Sequence, residues 1–178
     1  MHRKGKNAAP WCAAPIIIAN YTEENVMSTA DTLLATARTR APGQPYAGAV
    51  TPQEAWELLQ SEARVRLVDV RTDAERAWVG KVAIAAQQHC AVQWSTWPDG
   101  APNPDFVQQL EAVAQKDEVL LFLCRSGVRS RHAARVATEN GYAQSFDILE
   151  GFEGDKDADG HRKTVGGWCK AGLPWLGA

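Results

Sequence analysis

The sequence predicts an α/β domain built on a central, largely parallel sheet. Residues 65–70 form a short apolar, β-branched segment, and residues 119–123 form a continuous apolar run. Both have the length and composition of strands that are buried on both faces. Helical segments alternate with these strands, which favours parallel pairing through helical crossovers. With 178 residues, 45% of them hydrophobic, the chain can bury one sizeable core.

Capping signals and apolar spacing predict three helices within this domain. The first starts at the capping box Thr51-Pro52-Gln53-Glu54 and extends to about residue 62. The second starts at residues 103–105, and its buried stripe consists of Phe106, Val107, Leu110, Val113 and Ala114. The third covers residues 130–140 and ends at Gly141, which can adopt the left-handed conformation, before a strand at 145–149.

The N-terminal region is predicted to lie outside the compact domain. Residues 28–40 favour a helix, and the following segment Ala41-Pro42-Gly43-Gln44-Pro45 has the composition of a linker. We therefore expect residues 1–45 to form a partly flexible extension and residues 46–178 to form the domain. Basic residues 2–6 and the apolar stretch 8–19 imitate a secretory signal, but two prolines and the lack of a cleavage site argue against one. Met27 starts a segment typical of a cytoplasmic N-terminus, and we therefore expect a cytoplasmic protein.

Charge limits the expected binding partners, and cysteine content limits the expected kinds of cysteine site. The 19 Lys and Arg residues nearly balance the 21 Asp and Glu residues, so the overall field favours neither nucleic acid nor a membrane as partner. The four cysteines are scattered, without the close pairs of a zinc site or the density of a disulfide-stapled protein. This pattern indicates one functional thiol in a reducing compartment.

The segment that follows the strand at 119–123 carries the predicted chemistry. Sites on parallel sheets form beyond the carboxyl ends of the strands, and here a strand-to-helix turn directs backbone N–H groups and the positive end of a helix toward one point. A cysteine in such an anion cradle favours the thiolate, the nucleophilic form. Cys124 is the candidate nucleophile, and the candidate substrate-binding residues are Arg125, Ser126, Gly127, Val128, Arg129 and Ser130. The remaining cysteines, Cys12, Cys90 and Cys169, lack such surroundings and are expected to be structural or incidental.

Two motifs together resemble a known family. Leu67-Val68-Asp69-Val70-Arg71, followed by Glu75 and Gly80, and the loop Cys124-Arg125-Ser126-Gly127-Val128-Arg129-Ser130 are similar to a rhodanese domain. The resemblance spans roughly residues 51–175. It implies a three-layer fold, an active-site loop of residues 124–129 whose cysteine becomes persulfidated, and a supporting role for Asp69 and Arg71.

Three other sequence features suggest alternative functions or roles. Related phosphatases and arsenate reductases use a Cys-x5-Arg loop, whereas this loop reads Cys-x4-Arg, and the shorter loop favours sulfur transfer. Residues 155–160 copy the start of an EF-hand, but Gly166 stands where calcium binding needs glutamate, so a solvated acidic turn is expected. Several tryptophans could rim the loop, although core packing is their default role: Trp94, Trp97, Trp168 and Trp175.

The predicted function is sulfur transfer by double displacement through a persulfide on Cys124. The expected partners are a small anionic donor such as thiosulfate and a cyanide or thiol acceptor, with a protein acceptor also possible. No metal or organic cofactor is required. The alternative is a persulfide relay or sensor module that docks one protein partner without turnover. Both hypotheses place the sulfur on Cys124.

Overall fold

The computed structural model describes residues 27–177, so the expectations for residues 1–26, including Cys12, lie outside the described residues. A parallel five-stranded sheet forms its centre, with strand order β1-β6-β5-β2-β4. These strands are β1 (Gly48–Val50), β2 (Val65–Asp69), β4 (His89–Ala91), β5 (Val119–Leu123) and β6 (Ser145–Ile148), and a separate antiparallel pair is formed by β3 (Lys81–Val82) and β7 (Trp175–Leu176).

Helices cover both faces of the sheet. They are α1 (Thr29–Thr39), α2 (Pro52–Ser61), α3 (Asp73–Val79), α4 (Phe106–Glu111) and α5 (Val128–Glu139), with a short 3-10 turn at Ala86–Gln88. Residues of α1 and α2 pack in one apolar cluster, and residues of α4 and α5 pack in a second cluster on the opposite face. The three-layer α/β fold and the largely parallel sheet are therefore confirmed.

Side-chain caps explain where three of these helices begin. Ser28, Thr51 and Thr72 each accept the backbone N–H three residues later, and the acidic residue at that position bonds back to the cap's N–H. Such a cap contributes about 1 kcal/mol. The capping box predicted at Thr51 is thus present, and Gly141 follows α5 with φ 92°, as expected for a helix stop.

Two sequence expectations differ from the structure. The helix predicted to start at residues 103–105 ends at Glu111, so Val113 leaves the buried stripe and is 40% exposed, while Phe106, Leu110 and Ala114 are buried. The second difference concerns α1, which was assigned to a partly flexible extension. It buries Ala30, Leu34 and Ala37 in the same cluster as α2, so the linker at 41–45 connects two parts of one core.

The topology determines where the loop after β5 lies. Strand β5 is an interior strand between β6 and β2, and residues 120–122 have parallel neighbours on both sides. The following loop therefore emerges at the middle of the carboxyl edge of the sheet.

Within residues 27–177, no helix has the length and apolar content needed to cross a membrane.

Candidate functional site

The loop between β5 and α5 encloses the sulfur of Cys124. The Cys124 side chain is buried, and its Sγ accepts a hydrogen bond from the Gly127 N–H at 3.1 Å and lies 3.2 Å from the Ser130 hydroxyl oxygen. Gly127 precedes α5 with φ 89° and provides no side-chain cap. The cysteine sulfur therefore sits at the positive end of α5, where an anion is stabilised by the helix dipole and free N–H groups.

A second segment, residues 150–154, holds the loop from the other side. The Cys124 carbonyl accepts the Phe152 N–H at 2.8 Å, and the Arg125 carbonyl accepts the N–H groups of Glu153 and Gly154 at 3.0 and 3.2 Å. These three bonds occupy the carbonyls of Cys124 and Arg125, while the Gly127 N–H donates to the sulfur. Local sequence does not predict this role, because the hydrogen bonds join residues about 28 positions apart.

Gly151 is what permits this close approach. Its φ is 65°, and a Cβ built there would lie 2.5 Å from the Cys124 carbonyl oxygen and 2.7 Å from the Ser126 nitrogen. Real Cβ atoms do not approach backbone atoms this closely, so only glycine fits between the two segments.

The two arginines of the loop have different environments. Arg125 is exposed, as expected for a side chain that meets a soluble anion. Arg129, in contrast, forms two hydrogen bonds with the Glu75 carboxylate on α3, at 2.8 and 2.6 Å. The loop sequence predicts that Arg129 contacts the substrate directly, whereas in the structure its guanidinium binds Glu75 of α3.

Glu75 joins two parts of the site, the start of α3 and the loop. It caps the start of α3 through the Thr72 N–H and hydroxyl while it binds Arg129. Burial opposes ionisation of this carboxyl, but the hydrogen bonds from Arg129 and Thr72 outweigh burial and lower the pKa of Glu75. The pair therefore stays charged at neutral pH and links the loop to α3.

Asp69 and Arg71 form a buried ion pair beneath the loop. Arg71 donates to the Asp69 carboxylate through Nε at 2.9 Å and Nη2 at 2.6 Å, and it also donates to the Gly80 carbonyl. Both side chains are fully buried. The Arg71 guanidinium lies 4.0 Å from the centre of the Phe152 ring, and Phe152 binds the Cys124 carbonyl. The pair thus contacts the loop through one intermediate residue, an arrangement that fits the supporting role expected from the resemblance.

Ser126, Val128 and Ser130 occupy different positions along the loop. Ser130 is fully buried against the sulfur, Ser126 is half-buried, and Val128 is 53% exposed. A cavity of about 340 Å³ lies beside Val128 and is lined by Gln44, Pro45, Tyr46, Val128, Arg131, His132 and Arg135. Its three basic side chains make it favourable for anions.

The tryptophans divide between core and surface. Trp168 is completely buried, and Trp94 packs on Phe106 and His132. Trp97 is 62% exposed and makes an edge contact with the exposed Trp78 of α3. Core packing therefore accounts for Trp168, while Trp97 lies on the surface.

The acidic turn at residues 155–161 binds its own backbone. The Asp157 carboxylate accepts the N–H groups of Asp159 and His161 and the hydroxyl of Thr164, at 2.8–3.0 Å. Asp157, Asp159 and His161 are the one grouping of three potential metal ligands among residues 27–177. Since the Asp157 oxygens already accept hydrogen bonds from within the turn, we interpret this grouping as part of the turn and not as a metal site.

Comparison with known proteins decides the family. The sequence profile described as "Rhodanese-like domain" matches residues 51–158, which is more than half of the chain. This chain belongs to the rhodanese-like family. Within it, a thiosulfate sulfurtransferase, GlpE, from Haemophilus influenzae is 31% identical over 128 residues, covering 70% of this chain and 90% of the relative.

Two solved structures have a similar fold. Rv0390 from Mycobacterium tuberculosis is 43% identical, with a TM-score of 0.69, and the match covers 75% of this chain and 99% of that one. The polysulfide-sulfur transferase of Wolinella succinogenes is 17% identical with a TM-score of 0.52, covering 83% and 86% of the two chains, and shares the fold.

Proposed function

We propose that this rhodanese is a sulfurtransferase that carries a sulfane sulfur as a persulfide on Cys124. The main support is the position of the Cys124 sulfur, which accepts the Gly127 N–H at the start of α5. This arrangement stabilises an anion on sulfur, whether it is the attacking thiolate or the terminal sulfur of the persulfide. The relatives named thiosulfate sulfurtransferase support the same reaction class.

The reaction proceeds in two displacements. The Cys124 thiolate attacks the outer sulfur of thiosulfate, a new S–S bond forms, and the old S–S bond breaks with its electron pair leaving on sulfite. The acceptor, cyanide or a thiolate, then attacks the outer sulfur of the persulfide and releases the Cys124 thiolate. Covalent storage divides the transfer into two easier steps. Sulfur, charge and electrons balance in each step without a cofactor.

The cradle residues have distinct roles in this proposal. The loop N–H groups receive the anionic sulfur, and exposed Arg125 attracts the dianionic donor. Ser126, Gly127, Val128 and Ser130 shape the loop around it. Arg129 acts as a positioning residue through its bidentate bond to Glu75. The basic cavity that Val128 lines would attract an anionic donor or acceptor to this side of the loop.

A mass measurement tests the proposal directly. Thiosulfate treatment is expected to add the mass of one sulfur atom to the protein, and cyanide is expected to remove it as thiocyanate. The Cys124→Ser variant should remain unmodified because the hydroxyl cannot store the sulfur. An unchanged wild-type mass, or a sulfur retained by the variant, would overturn the assignment. Thiosulfate loading without turnover of cyanide or small thiols would instead indicate the relay module.

The Arg129–Glu75 pair provides a second prediction. Replacing either residue with alanine is expected to lower kcat/KM for thiosulfate about tenfold, because hydrogen bonds to charged groups contribute about 1.5–3 kcal/mol. The double variant should be little worse than either single variant, since both changes remove the same link. Steady-state kinetics of the three variants measures this.

Cys90→Ser is the control, because Cys90 is buried in the core beside the Val113 carbonyl and should leave turnover nearly intact. Fully additive losses from the two alanine substitutions would show that Arg129 and Glu75 act independently.

A further inference from the structure

The basic cavity extends along α5 beyond the space that a single tetrahedral anion fills. Four of its lining residues share one face of this helix, because they recur at positions i, i+3, i+4 and i+7. They are Val128, Arg131, His132 and Arg135. Seven residues of helix extend over about 10 Å. The cavity volume of about 340 Å³ lies in the range of small-molecule sites. A ligand that fills it is therefore longer than thiosulfate.

The positive charge of this cavity is not balanced by its lining. Among the described residues that line it there is no Asp or Glu, whereas a cavity of about 450 Å³ beside α3 includes Asp73, which binds Arg76. Within residues 27–177, Arg131 forms no ion pair, and Arg135 has only a 3.8 Å contact with Glu139 in which both side chains are about half exposed. The two guanidinium groups are therefore free to bind an anion.

Contacts with the fold hold this cavity beside the loop. Arg131 donates through Nε to the Gly127 carbonyl at 2.8 Å, a bond that engages one of the five N–H donors of its guanidinium. The Gly127 N–H in turn donates to the Cys124 sulfur at 3.1 Å. On the other side, the His132 ring lies nearly parallel to Trp94, with ring centres 6.3 Å apart. One residue thus joins a cationic side chain of the cavity to the reacting sulfur.

Resting on the proposed function, we propose that this cavity is the acceptor subsite and that it selects a small thiol carrying two carboxylates. Arg131 and Arg135 are one helical turn apart, with about 5–6 Å between their Cβ atoms, so each can bind one carboxylate. The thiol of such a molecule extends past Val128 to the loop. The size of the cavity favours a small molecule over a protein surface.

Transfer to this thiol is the second displacement of the proposed reaction. The acceptor thiolate attacks the outer sulfur of the Cys124 persulfide, a new S–S bond forms, and the bond to Cys124 breaks with its electron pair on the Cys124 sulfur. The persulfide proton stays on the outer sulfur, which leaves as the persulfide of the acceptor. Sulfur, charge and electrons balance without an oxidant. The carboxylates take no part in this step, so Arg131 and Arg135 act on binding of the acceptor.

Glutathione and its diethyl ester test the subsite, because the two thiols differ in whether the carboxylates are free. The protein is loaded with thiosulfate, loading is verified by intact mass, and the donor is removed. Loss of the extra sulfur at several concentrations of each thiol then gives two second-order rate constants. The wild type should prefer glutathione about 20-fold, since two partly exposed charge pairs contribute about fivefold each. High salt should reduce this preference by screening.

Two arginine variants test which side chains bind the carboxylates. Arg131→Gln and Arg135→Gln should each lower the preference about fivefold, and the double variant should lose it. Because the ratio of two rate constants is compared, a change in loading common to both thiols cancels. Arg64→Gln is the matched control, since Arg64 is an exposed arginine at the amino end of β2 that pairs with Asp117, and this variant should keep the wild-type ratio.

Two results would overturn the subsite. Equal rate constants for glutathione and the ester in the wild type would show that the carboxylates are not bound. A wild-type preference in Arg135→Gln would show that this arginine does not bind them, and this variant decides the test if Arg131→Gln disturbs the loop through its lost bond to Gly127. Either result with normal loading leaves the persulfide on Cys124 unaffected, whereas failure of thiosulfate loading in the wild type would contradict the proposed function itself.

Discussion

Replacing Gly151 with alanine is expected to reduce sulfur transfer about 100-fold. The new Cβ would lie 2.5–2.7 Å from three backbone atoms of residues 124–126, so either the loop or the segment at 150–154 must move. A displacement of about 1 Å in a reacting group can cost about 100-fold in rate. Steady-state turnover of thiosulfate and cyanide, together with thermal unfolding, measures the two consequences.

Gly160→Ala is the matched control for this substitution. Gly160 also has a positive φ, of 83°, but its Cβ would have no atom within 4 Å. Both variants therefore share a backbone strain of about 1 kcal/mol, and they differ in the clash with the loop. If Gly151→Ala retains the turnover of Gly160→Ala, the contact between residues 150–154 and the loop does not position Cys124.

Replacing Asp69 with alanine is expected to lower the free energy of unfolding by about 3–5 kcal/mol. The change would leave the Arg71 guanidinium fully buried without its bidentate partner, and removing one member of a buried ion pair has a cost of this size. Chemical denaturation at neutral pH measures the loss. Activity should fall with stability, since Arg71 packs on Phe152 under the loop.

Asp117→Ala provides the comparison. Asp117 pairs with Arg64 at 2.6 Å, but the two side chains are 75% and 66% exposed. Exposed pairs contribute about 0–1 kcal/mol, so this variant should unfold close to the wild type. Equal losses in the Asp69 and Asp117 variants would mean that burial of the first pair does not determine its contribution.

The pH dependence of the Asp69 contribution follows from the same contacts. Burial opposes ionisation, but the nearby His89 imidazole and the Arg71 guanidinium outweigh it and hold the pKa of Asp69 below its ordinary value. A carboxyl with a lowered pKa in the folded state stabilises the fold above its unfolded pKa. The stabilisation is therefore present at neutral pH and is lost as the solution becomes more acidic than about pH 4.

The fold and the position of the loop that holds Cys124 could be predicted from local sequence because their signals are short. The strands at 65–69 and 119–123 are continuous apolar segments, the capping box at Thr51 spans four residues, and the loop at 124–130 is contiguous. The residues that form each of these elements are neighbours in sequence, so a short stretch of sequence is enough to predict the element. The resemblance to rhodanese then supplied Asp69 and Arg71, whose supporting contacts the spacing alone did not predict.

The contacts that the sequence analysis missed all join distant parts of the chain. Arg129 turns toward Glu75, 54 residues earlier, so its sequence position in the loop was a poor guide to its direction. The linker at 41–45 resembled a boundary because prolines and glycine are common at domain ends, although α1 packs into the same core.

The dependence of the loop on residues 150–154 also orders the events of synthesis. Translation releases Cys124 before Phe152, Glu153 and Gly154, which hydrogen-bond the Cys124 and Arg125 carbonyls, and before Cys169, whose N–H binds the Phe152 carbonyl. A chain still on the ribosome therefore exposes the cysteine without the contacts that form its cradle. In the proposed mechanism, activation of this thiol therefore waits until the later segment has folded over it, and incomplete chains carry an ordinary cysteine.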